Sequence, residues 1–343
     1  NGGATEAPGA NPLQVTAAVM YPYGAFYQLT FGGLSSIQIP AGSTVWSDPV
    51  PIYVPKGTRF YIRSFCSVAA GQSWPRGILP IVANGDQSEE GVGLADNTLG
   101  GTYAGSNGAC YGPCAVIGMP AAPTASVLLL TDSLGWGQGD DASGVSPTPS
   151  GDGNGNYGPF QRALFTAGIG VIKMTKSGLY ARDVTGSNVR TRLFAPYCGS
   201  AVVLLGTNDL TGNQPLTAIQ AALKEIWASL AAQGCRVFAC TVPPKTNSSD
   251  GWTTLVNQTM PNANYGAPGG GPGSVRAQLN DWIRSLPSSA LFGVLECADP
   301  VESGRNSGLW KIEYTSDGTH WNQTGLAPVQ EVVSGAASAG LFI

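Results

Sequence analysis

The chain has 343 residues, with 17 Lys and Arg residues against 21 Asp and Glu residues and a net charge of -4. A weak negative charge without a basic run argues against nucleic acid as a partner, and no apolar run is long enough to predict a membrane span. Hydrophobic residues make up 43% and charged residues 11% of the chain, which excludes intrinsic disorder. The 48 Gly and 25 Pro residues predict many turns and disfavour a mostly helical fold.

The first part of the chain has the pattern of a β domain. Runs rich in Val, Ile, Tyr and Phe, separated by turns that contain Gly and Pro, occur at residues 25–31, 36–39, 50–54 and 59–65. Short strands at this spacing are typical of a sandwich of two sheets. We therefore predict an N-terminal, jelly-roll-like β-sandwich module over residues 1–123.

The pattern changes near residue 126, where predicted strands alternate with predicted helices. Residues 216–232 and 274–286 carry apolar side chains at spacings of three and four, which predicts amphipathic helices. Alternating strands and helices predict a parallel sheet between two helical layers, hence an α/β domain over residues 124–343. Its strands, buried on both faces, are predicted at residues 127–130, 201–205, 236–241 and 291–295.

Polar residues follow two of these strands. Ser133 comes directly after the first, and Asn208 follows the second; the single His of the chain, His320, lies three residues after Asp317. Acyl transfer needs a nucleophile, a base, a group that orients the base, and donors for the oxyanion. Ligands of parallel sheets bind beyond the carboxyl ends of the strands, where these residues would meet. Alone, each also fits a plainer role as a turn, capping or structural residue.

Together these segments resemble the SGNH hydrolases, also called the GDSL esterase and lipase superfamily. Residues 131–134 match the first family block, except that Thr131 replaces its leading Gly, and residues 206–209 and 317–320 match the third and fifth blocks. The second block matches loosely around Gly178, with Gly186 as the alternative. The resemblance covers residues 124–335, and the turns before them resemble a β-sandwich module of bacterial secreted SGNH hydrolases.

The resemblance implies a flavodoxin-like three-layer fold and a serine esterase with a Ser-His-Asp triad. Ser133 would attack an ester carbonyl, His320 would accept its proton, and Asp317 would orient the imidazole. The N–H groups of Ser133 and Gly178 and the side-chain amide of Asn208 would bind the oxyanion. No metal or organic cofactor is implied, and the single His without paired CxxC motifs also disfavours zinc.

The loops predict the substrate class. Residues 135–157 and 247–273 are polar and rich in Gly, so they suit a hydrated glycan and offer little apolar area for a long acyl chain. We therefore expect small acyl esters, chiefly acetyl esters, on a carbohydrate or polysaccharide. The alternatives are a virion tail or receptor-binding component that carries a glycan O-deacetylase, and a lipase or thioesterase of the same superfamily.

Low charge and abundant Gly, Ser, Thr and Asn predict an extracytoplasmic setting, either secreted, at a cell surface or on a virion. The sequence starts at Asn1, which we interpret as a chain that is processed or cut from a longer one. Seven cysteines leave at least one thiol unpaired in the monomer. Cys110 and Cys114 lie in a loop that can close locally, and buried free thiols are the equal alternative.

Overall fold

A computed structural model describes residues 9–73, 87–103, 112–140, 157–185, 193–266, 271 and 273–343. The chain divides into two compact units between Val116 and Ile117. The predicted domain boundary after residue 123 remains a prediction. Gly186, Cys110 and most of the loop at residues 135–157 lie outside the described residues.

The N-terminal unit contains an antiparallel sheet. Its strands are β1 (Leu13–Met20), β2 (Phe26–Gln28), β3 (Ile37–Ile39) and β4 (Tyr61–Ser67). Strand β1 lies at the centre, with β4 along one side and both β2 and β3 along the other. The four described strands form this one sheet, so the sandwich of two sheets, and with it the jelly roll, stays a prediction.

The predicted strand at residues 50–54 is wrong. These residues are described and adopt no regular structure; the Ile52 N–H instead donates to the Val50 carbonyl at 2.9 Å, which closes a tight turn. Pro49, Pro51 and Pro55 explain the difference, because each lacks the N–H group that a strand interior needs for its ladder.

The second unit has the predicted α/β architecture. The strands of its main sheet are β5 (Ser126–Thr131), β6 (Gly170–Thr175), β7 (Ser200–Leu204), β8 (Arg236–Cys240) and β11 (Leu291–Leu295). They lie in the order β6-β5-β7-β8-β11, and all neighbouring strands are parallel. Numbered along the unit, this is the flavodoxin-like order 2-1-3-4-5. A short hairpin of β9 (Asn247–Ser248) and β10 (Gln258–Thr259) lies outside this sheet.

Helices cover the sheet because its strands are apolar on both faces. The described helices are α1 (Ser133–Trp136), α2 (Gly158–Thr166), α3 (Thr207–Thr211), α4 (Leu216–Ala231), α5 (Val275–Arg284) and α6 (Gln323–Ser338). Val127 and Leu129 of β5 pack into a core with α2 and α6, while Leu128 and Leu130 are also fully buried. Helix α4 packs against β8 and α5, where the rings of Trp227 and Trp282 stack at 5.3 Å. No described helix is long and apolar enough to span a bilayer.

Candidate active site

Ser133 lies at the carboxyl edge of the sheet, where β5 passes directly into α1. Asp132 caps this helix, since its Oδ1 accepts a hydrogen bond from the Leu134 N–H at 3.0 Å. The Ser133 N–H is in the first turn, where backbone donors have no partner within the helix. The serine therefore presents both a hydroxyl and an unpaired N–H at the sheet edge.

Thr131 stands where the family pattern has Gly, and Gly135 accommodates it. Thr131 is fully buried at the end of β5. A Cβ atom on Gly135 would lie 2.1 Å from Thr131 Oγ1, which is far inside van der Waals contact. The Thr131 side chain fits here because residue 135, one helical turn later, has no Cβ atom.

Ser133, His320 and Asp317 form a continuous hydrogen-bonded chain. His320 Nε2 lies 2.8 Å from Ser133 Oγ, and His320 Nδ1 lies 2.6 Å from Asp317 Oδ2. Asp317 Oδ1 accepts hydrogen bonds from the backbone N–H groups of Thr319 and His320, each at 2.8 Å. The structure thus brings together three predicted residues that lie up to 187 positions apart in the chain.

The electrostatics of Asp317 determine the tautomer of the imidazole. Burial alone would raise the pKa of Asp317, but hydrogen bonds from the His320 side chain and backbone outweigh it and lower the pKa to about 2. An ionised carboxylate only accepts hydrogen bonds, so Nδ1 carries the proton. Nε2 of a neutral His320 is then the acceptor for the Ser133 hydroxyl, which is the arrangement that a general base needs.

The turn that carries Asp317 and His320 is held by residues that the sequence analysis missed. The Thr315 Oγ1 accepts a hydrogen bond from the Gly318 N–H at 2.9 Å and donates one to the His320 carbonyl at 2.7 Å. Gly318, at φ +74°, receives hydrogen bonds on its carbonyl from the Thr246 N–H at 2.9 Å and the Trp310 indole at 3.0 Å. This packing fixes the turn on both sides.

Trp252 supports the same turn from the loop after β9. Its indole N–H donates to Thr246 Oγ1 at 2.9 Å, and its Cζ2 would lie 2.5 Å from a Cβ on Gly318. Trp252 itself has φ +62°, a conformation that is strained for a bulky side chain. This strained residue contacts the candidate catalytic turn.

Two of the three predicted oxyanion donors are unpaired. Gly178 follows β6 with φ +75°, and no described residue accepts a hydrogen bond from its N–H or from that of Ser133. The Asn208 amide, by contrast, donates to the Leu179 carbonyl at 3.1 Å and to Asp132 Oδ2 at 3.3 Å. Asn208 therefore lies against the segments that carry Asp132 and Leu179, with its amide engaged by these acceptors, and its role as an oxyanion donor stays a prediction.

Asp132 and Asp209 are buried carboxylates that tie the segments of the site together. Asp132 joins the start of α1 to Asn208, and burial raises its pKa to about 7 against the opposing Leu134 hydrogen bond and the attraction of His320. Asp209 Oδ2 accepts from the Ala181 N–H at 2.9 Å, and burial raises its pKa as well. Both lie inside the matched blocks, so the sequence located them without indicating these roles.

A buried ion pair lies beside the nucleophile segment. The Arg162 guanidinium donates to both oxygens of Asp140, at 2.7 and 2.9 Å, and both side chains are almost completely buried. Gln323 at the start of α6 also donates to Asp140, at 2.8 Å. This cluster connects the segment after α1 with α2 and α6, and no motif in the sequence indicated it.

In the described part of the chain, no group of three or more His, Cys, Asp and Glu side chains is placed to hold a metal ion. The described cysteines form no disulfide with one another. Four of them, Cys198, Cys235, Cys240 and Cys297, are buried thiols.

The parallel sheet with its strand order, its flanking helices and the polar residues at its carboxyl edge define an SGNH-type hydrolase. The chain belongs to the GDSL-like lipase/acylhydrolase family, whose family model matches residues 132–327. It is therefore an ester hydrolase by family. No curated protein matches the chain.

Solved structures of lipases and esterases are similar to part of the chain. A GDSL-like lipase from Bacteroides thetaiotaomicron has 15% identity and a TM-score of 0.43 over 63% of this chain and 88% of its own. A psychrotrophic esterase from Pseudoalteromonas sp. has 14% identity and a TM-score of 0.42 over 63% and 98%. A lipase/acylhydrolase from Enterococcus faecalis has 14% identity and a TM-score of 0.40 over 63% and 97%.

Proposed function

We propose that this protein is a serine esterase that removes small acyl groups, chiefly acetyl, from a carbohydrate. One observation carries the proposal: Ser133, His320 and Asp317 are joined by two hydrogen bonds, of 2.8 and 2.6 Å, at the edge of a parallel sheet. A glycan substrate also fits the extracytoplasmic setting that we propose from the low charge of the chain.

Ser133 Oγ attacks the ester carbonyl carbon while His320 Nε2 accepts the hydroxyl proton. The carbonyl oxygen becomes an oxyanion, held by the free N–H groups of Ser133 and Gly178. The Asn208 amide supplies the third donor by exchanging its longer hydrogen bond, the one to Asp132, for the oxyanion.

The intermediate collapses when the bond to the alcohol oxygen breaks and His320 returns the proton to that oxygen. An acyl-serine remains. Water then attacks it as His320 accepts the water proton, and the proton passes to Ser133 Oγ as the acid leaves. Asp317 stays ionised throughout and stabilises the imidazolium that forms in each step.

Support for a small acyl group comes from the loop that contains Trp252. Its chain is folded by polar contacts, since Asp250 accepts hydrogen bonds from Ser248 at 2.7 Å, Thr254 at 2.6 Å and Asn257 at 3.1 Å. Such a loop offers hydrogen-bonding groups more than apolar area.

One observation favours the alternative of a lipase or thioesterase. Leu255 and Val256 of the same loop are 38% and 85% exposed. They offer some apolar surface to a longer acyl chain, at about 0.8 kcal/mol per buried CH₂ group. The two functions differ in the acyl length at which kcat/KM is highest.

The test measures kcat/KM for p-nitrophenyl esters from acetate to palmitate, together with acetate release from acetylated xylan. We expect the highest value at acetate, and Ser133→Ala should abolish hydrolysis of every ester. Ser285→Ala removes a hydroxyl at the end of α5 and should leave kcat/KM unchanged. A maximum at butyrate or beyond refutes the acetylesterase, and substantial activity in Ser133→Ala refutes the nucleophile.

A further inference from the structure

Lys245 is a half-buried cation at the carboxyl edge of the sheet, five residues after the end of β8. Its Nζ donates to Thr211 Oγ1 at 3.1 Å. No carboxylate of the described residues forms an ion pair with it, and this hydrogen bond leaves two of its three N–H donors for another acceptor.

Three other buried or half-buried cations of the described residues have strong partners. Arg162 pairs with Asp140, Arg276 pairs with Glu302, and Lys173 donates to the carbonyl groups of Trp136 at 2.8 Å and Tyr157 at 3.2 Å. Removing a charge from water costs free energy unless a partner compensates. Lys245, by contrast, has one hydrogen-bond partner among the described residues, and its other donors are open to water or to a ligand.

The hydrogen bond from Lys245 to Thr211 places Lys245 relative to the reaction centre. Thr211 lies three residues after Asn208 on α3, so the two side chains share a face of the helix, one turn apart. Burial lowers the pKa of Lys245, whereas Asp317 and Asp132 raise it electrostatically. The charge of Lys245 is therefore close enough to interact with Asp317 and Asp132, the carboxylates beside His320 and Ser133.

The loop that carries Lys245 is fixed at its start. The Val242 N–H donates to Asn280 Oδ1 at 2.7 Å, and the Val242 carbonyl accepts from Asn280 at 2.9 Å and from Arg276 at 3.0 Å. Asn280 and Arg276 are themselves fully buried. A cation on a fixed loop can bind a ligand with little loss of conformational entropy.

We propose that Lys245 binds a carboxylate on the ester substrate, beside the Asn208 end of the site. This inference rests on the proposed esterase function and names its substrate class: an ester that also carries an anionic carboxylate. The carboxylate belongs either to the alcohol, as in an acylated sugar acid, or to the acyl group, as in a hemiester of a dicarboxylic acid. The charge of Lys245 also offsets that of Asp317 and Asp132, which would otherwise repel such a substrate.

Two matched pairs of substrates test the proposal. p-Nitrophenyl hemisuccinate against p-nitrophenyl butyrate places the carboxylate on the acyl side, and 4-acetoxybenzoate against 4-acetoxybenzamide places it on the alcohol side. For each pair the readout is the ratio of kcat/KM for the anionic ester to that for the neutral ester. The variants are Lys245→Met and, as a control with the same change in net charge, Lys224→Met on the exposed face of α4.

We expect Lys245→Met to lower this ratio by about 10- to 100-fold in one pair, as for loss of a charge-assisted hydrogen bond. Lys224→Met should leave both ratios unchanged. The pair that responds identifies which side of the ester carries the carboxylate. If Lys245→Met lowers kcat/KM equally for neutral and anionic esters, Lys245 acts on the charges of the triad and the proposal is wrong.

Binding without turnover separates this proposal from the esterase function. Calorimetry measures the affinity of p-nitrophenyl hemisuccinate and of 4-acetoxybenzoate for Ser133→Ala and for the double variant Ser133→Ala/Lys245→Met. We expect the double variant to bind one of them at least about 10-fold more weakly. Equal affinities for both ligands overturn the anionic subsite, whether or not the wild-type protein hydrolyses either ester.

Discussion

Gly318 lies in the turn between Asp317 and His320 and is closely packed against Thr246 and Trp252. Gly318→Ala tests whether this packing holds His320 in position. The added Cβ would lie 1.8 Å from the Thr246 carbonyl oxygen and 2.5 Å from Trp252 Cζ2. The Thr246 N–H also donates to the Gly318 carbonyl at 2.9 Å, so the two backbones cannot separate without breaking this bond. We therefore expect the turn between Asp317 and His320 to shift.

The magnitude has two parts. An alanine at φ +74° costs about 1–2 kcal/mol because its Cβ crowds the backbone in the left-handed region. Overpacking against a backbone oxygen adds about 1–3 kcal/mol. The free energy of unfolding should fall by about 2–5 kcal/mol, and displacing His320 by about 1 Å should lower kcat/KM by about 100-fold.

Denaturant unfolding and kcat/KM for p-nitrophenyl acetate are measured on Gly318→Ala and on the control Gly340→Ala. Gly340 has a similar φ of +68° but no atom within 4 Å of an added Cβ, so the control has the backbone cost without the clash. Gly340→Ala should lose about 1–2 kcal/mol and keep full activity. Wild-type kcat/KM in Gly318→Ala, or a stability loss no greater than that of the control, would refute this reasoning.

Three further predictions concern the surroundings of Ser133. The pKa of Asp132 is about 7 in the folded protein, so its carboxyl keeps a proton there that the unfolded chain releases near pH 4. Asp132 therefore makes the free energy of unfolding fall as the pH rises from 4 to 7. Asp132→Asn should flatten this fall when unfolding is measured against pH. Gly135→Ala should destabilise the wild-type protein by about 1–3 kcal/mol but should have little effect in a protein that already carries Thr131→Gly. A double-mutant cycle should therefore show coupling between the two positions. Arg162→Met should lower the unfolding free energy by about 3–5 kcal/mol in denaturant titrations, because it leaves the buried charge of Asp140 without a cation; a loss below about 1 kcal/mol would contradict this.

The central strands of the sheet could be predicted from the sequence because they are buried on both faces and read as unbroken apolar runs. Strand β6, with Lys173 among its residues, was missed because it lies at the edge of the sheet and lacks such a run. Strand β1 was missed as well, since Ala17 and Ala18 at its centre have little preference for β structure.

Helix α6 shows how packing hides a helix from its own sequence. Gly325 and Pro328 lie in its first two turns and weaken the helical pattern. Gly325 is nevertheless required there, because a Cβ would lie 2.2 Å from the Tyr314 carbonyl oxygen. The reason for this glycine is a contact in space, which periodicity along the chain does not reveal.

The candidate site also contains some residues that a local motif reveals and others that only contacts in space reveal. Ser133, Asn208 and His320 were predictable because each lies in a short local motif and the topology of a parallel sheet brings strand ends together. Trp252 and Lys245 lie in no motif, and their contacts with Gly318 and Thr211 appear only when distant segments are folded.

The segment from the end of β8 to Trp252 should affect two kinetic properties, the rate of hydrolysis and the preference for anionic esters. Thr246 and Trp252 hold the turn that contains His320, so changes there should lower kcat for every ester alike. Lys245 faces the substrate in our proposal, so its removal should change the choice between anionic and neutral esters while neutral esters keep their rate. A single segment would then control both the rate and the selectivity of the enzyme, and the matched substrate pairs separate the two because only selectivity depends on the charge of the substrate.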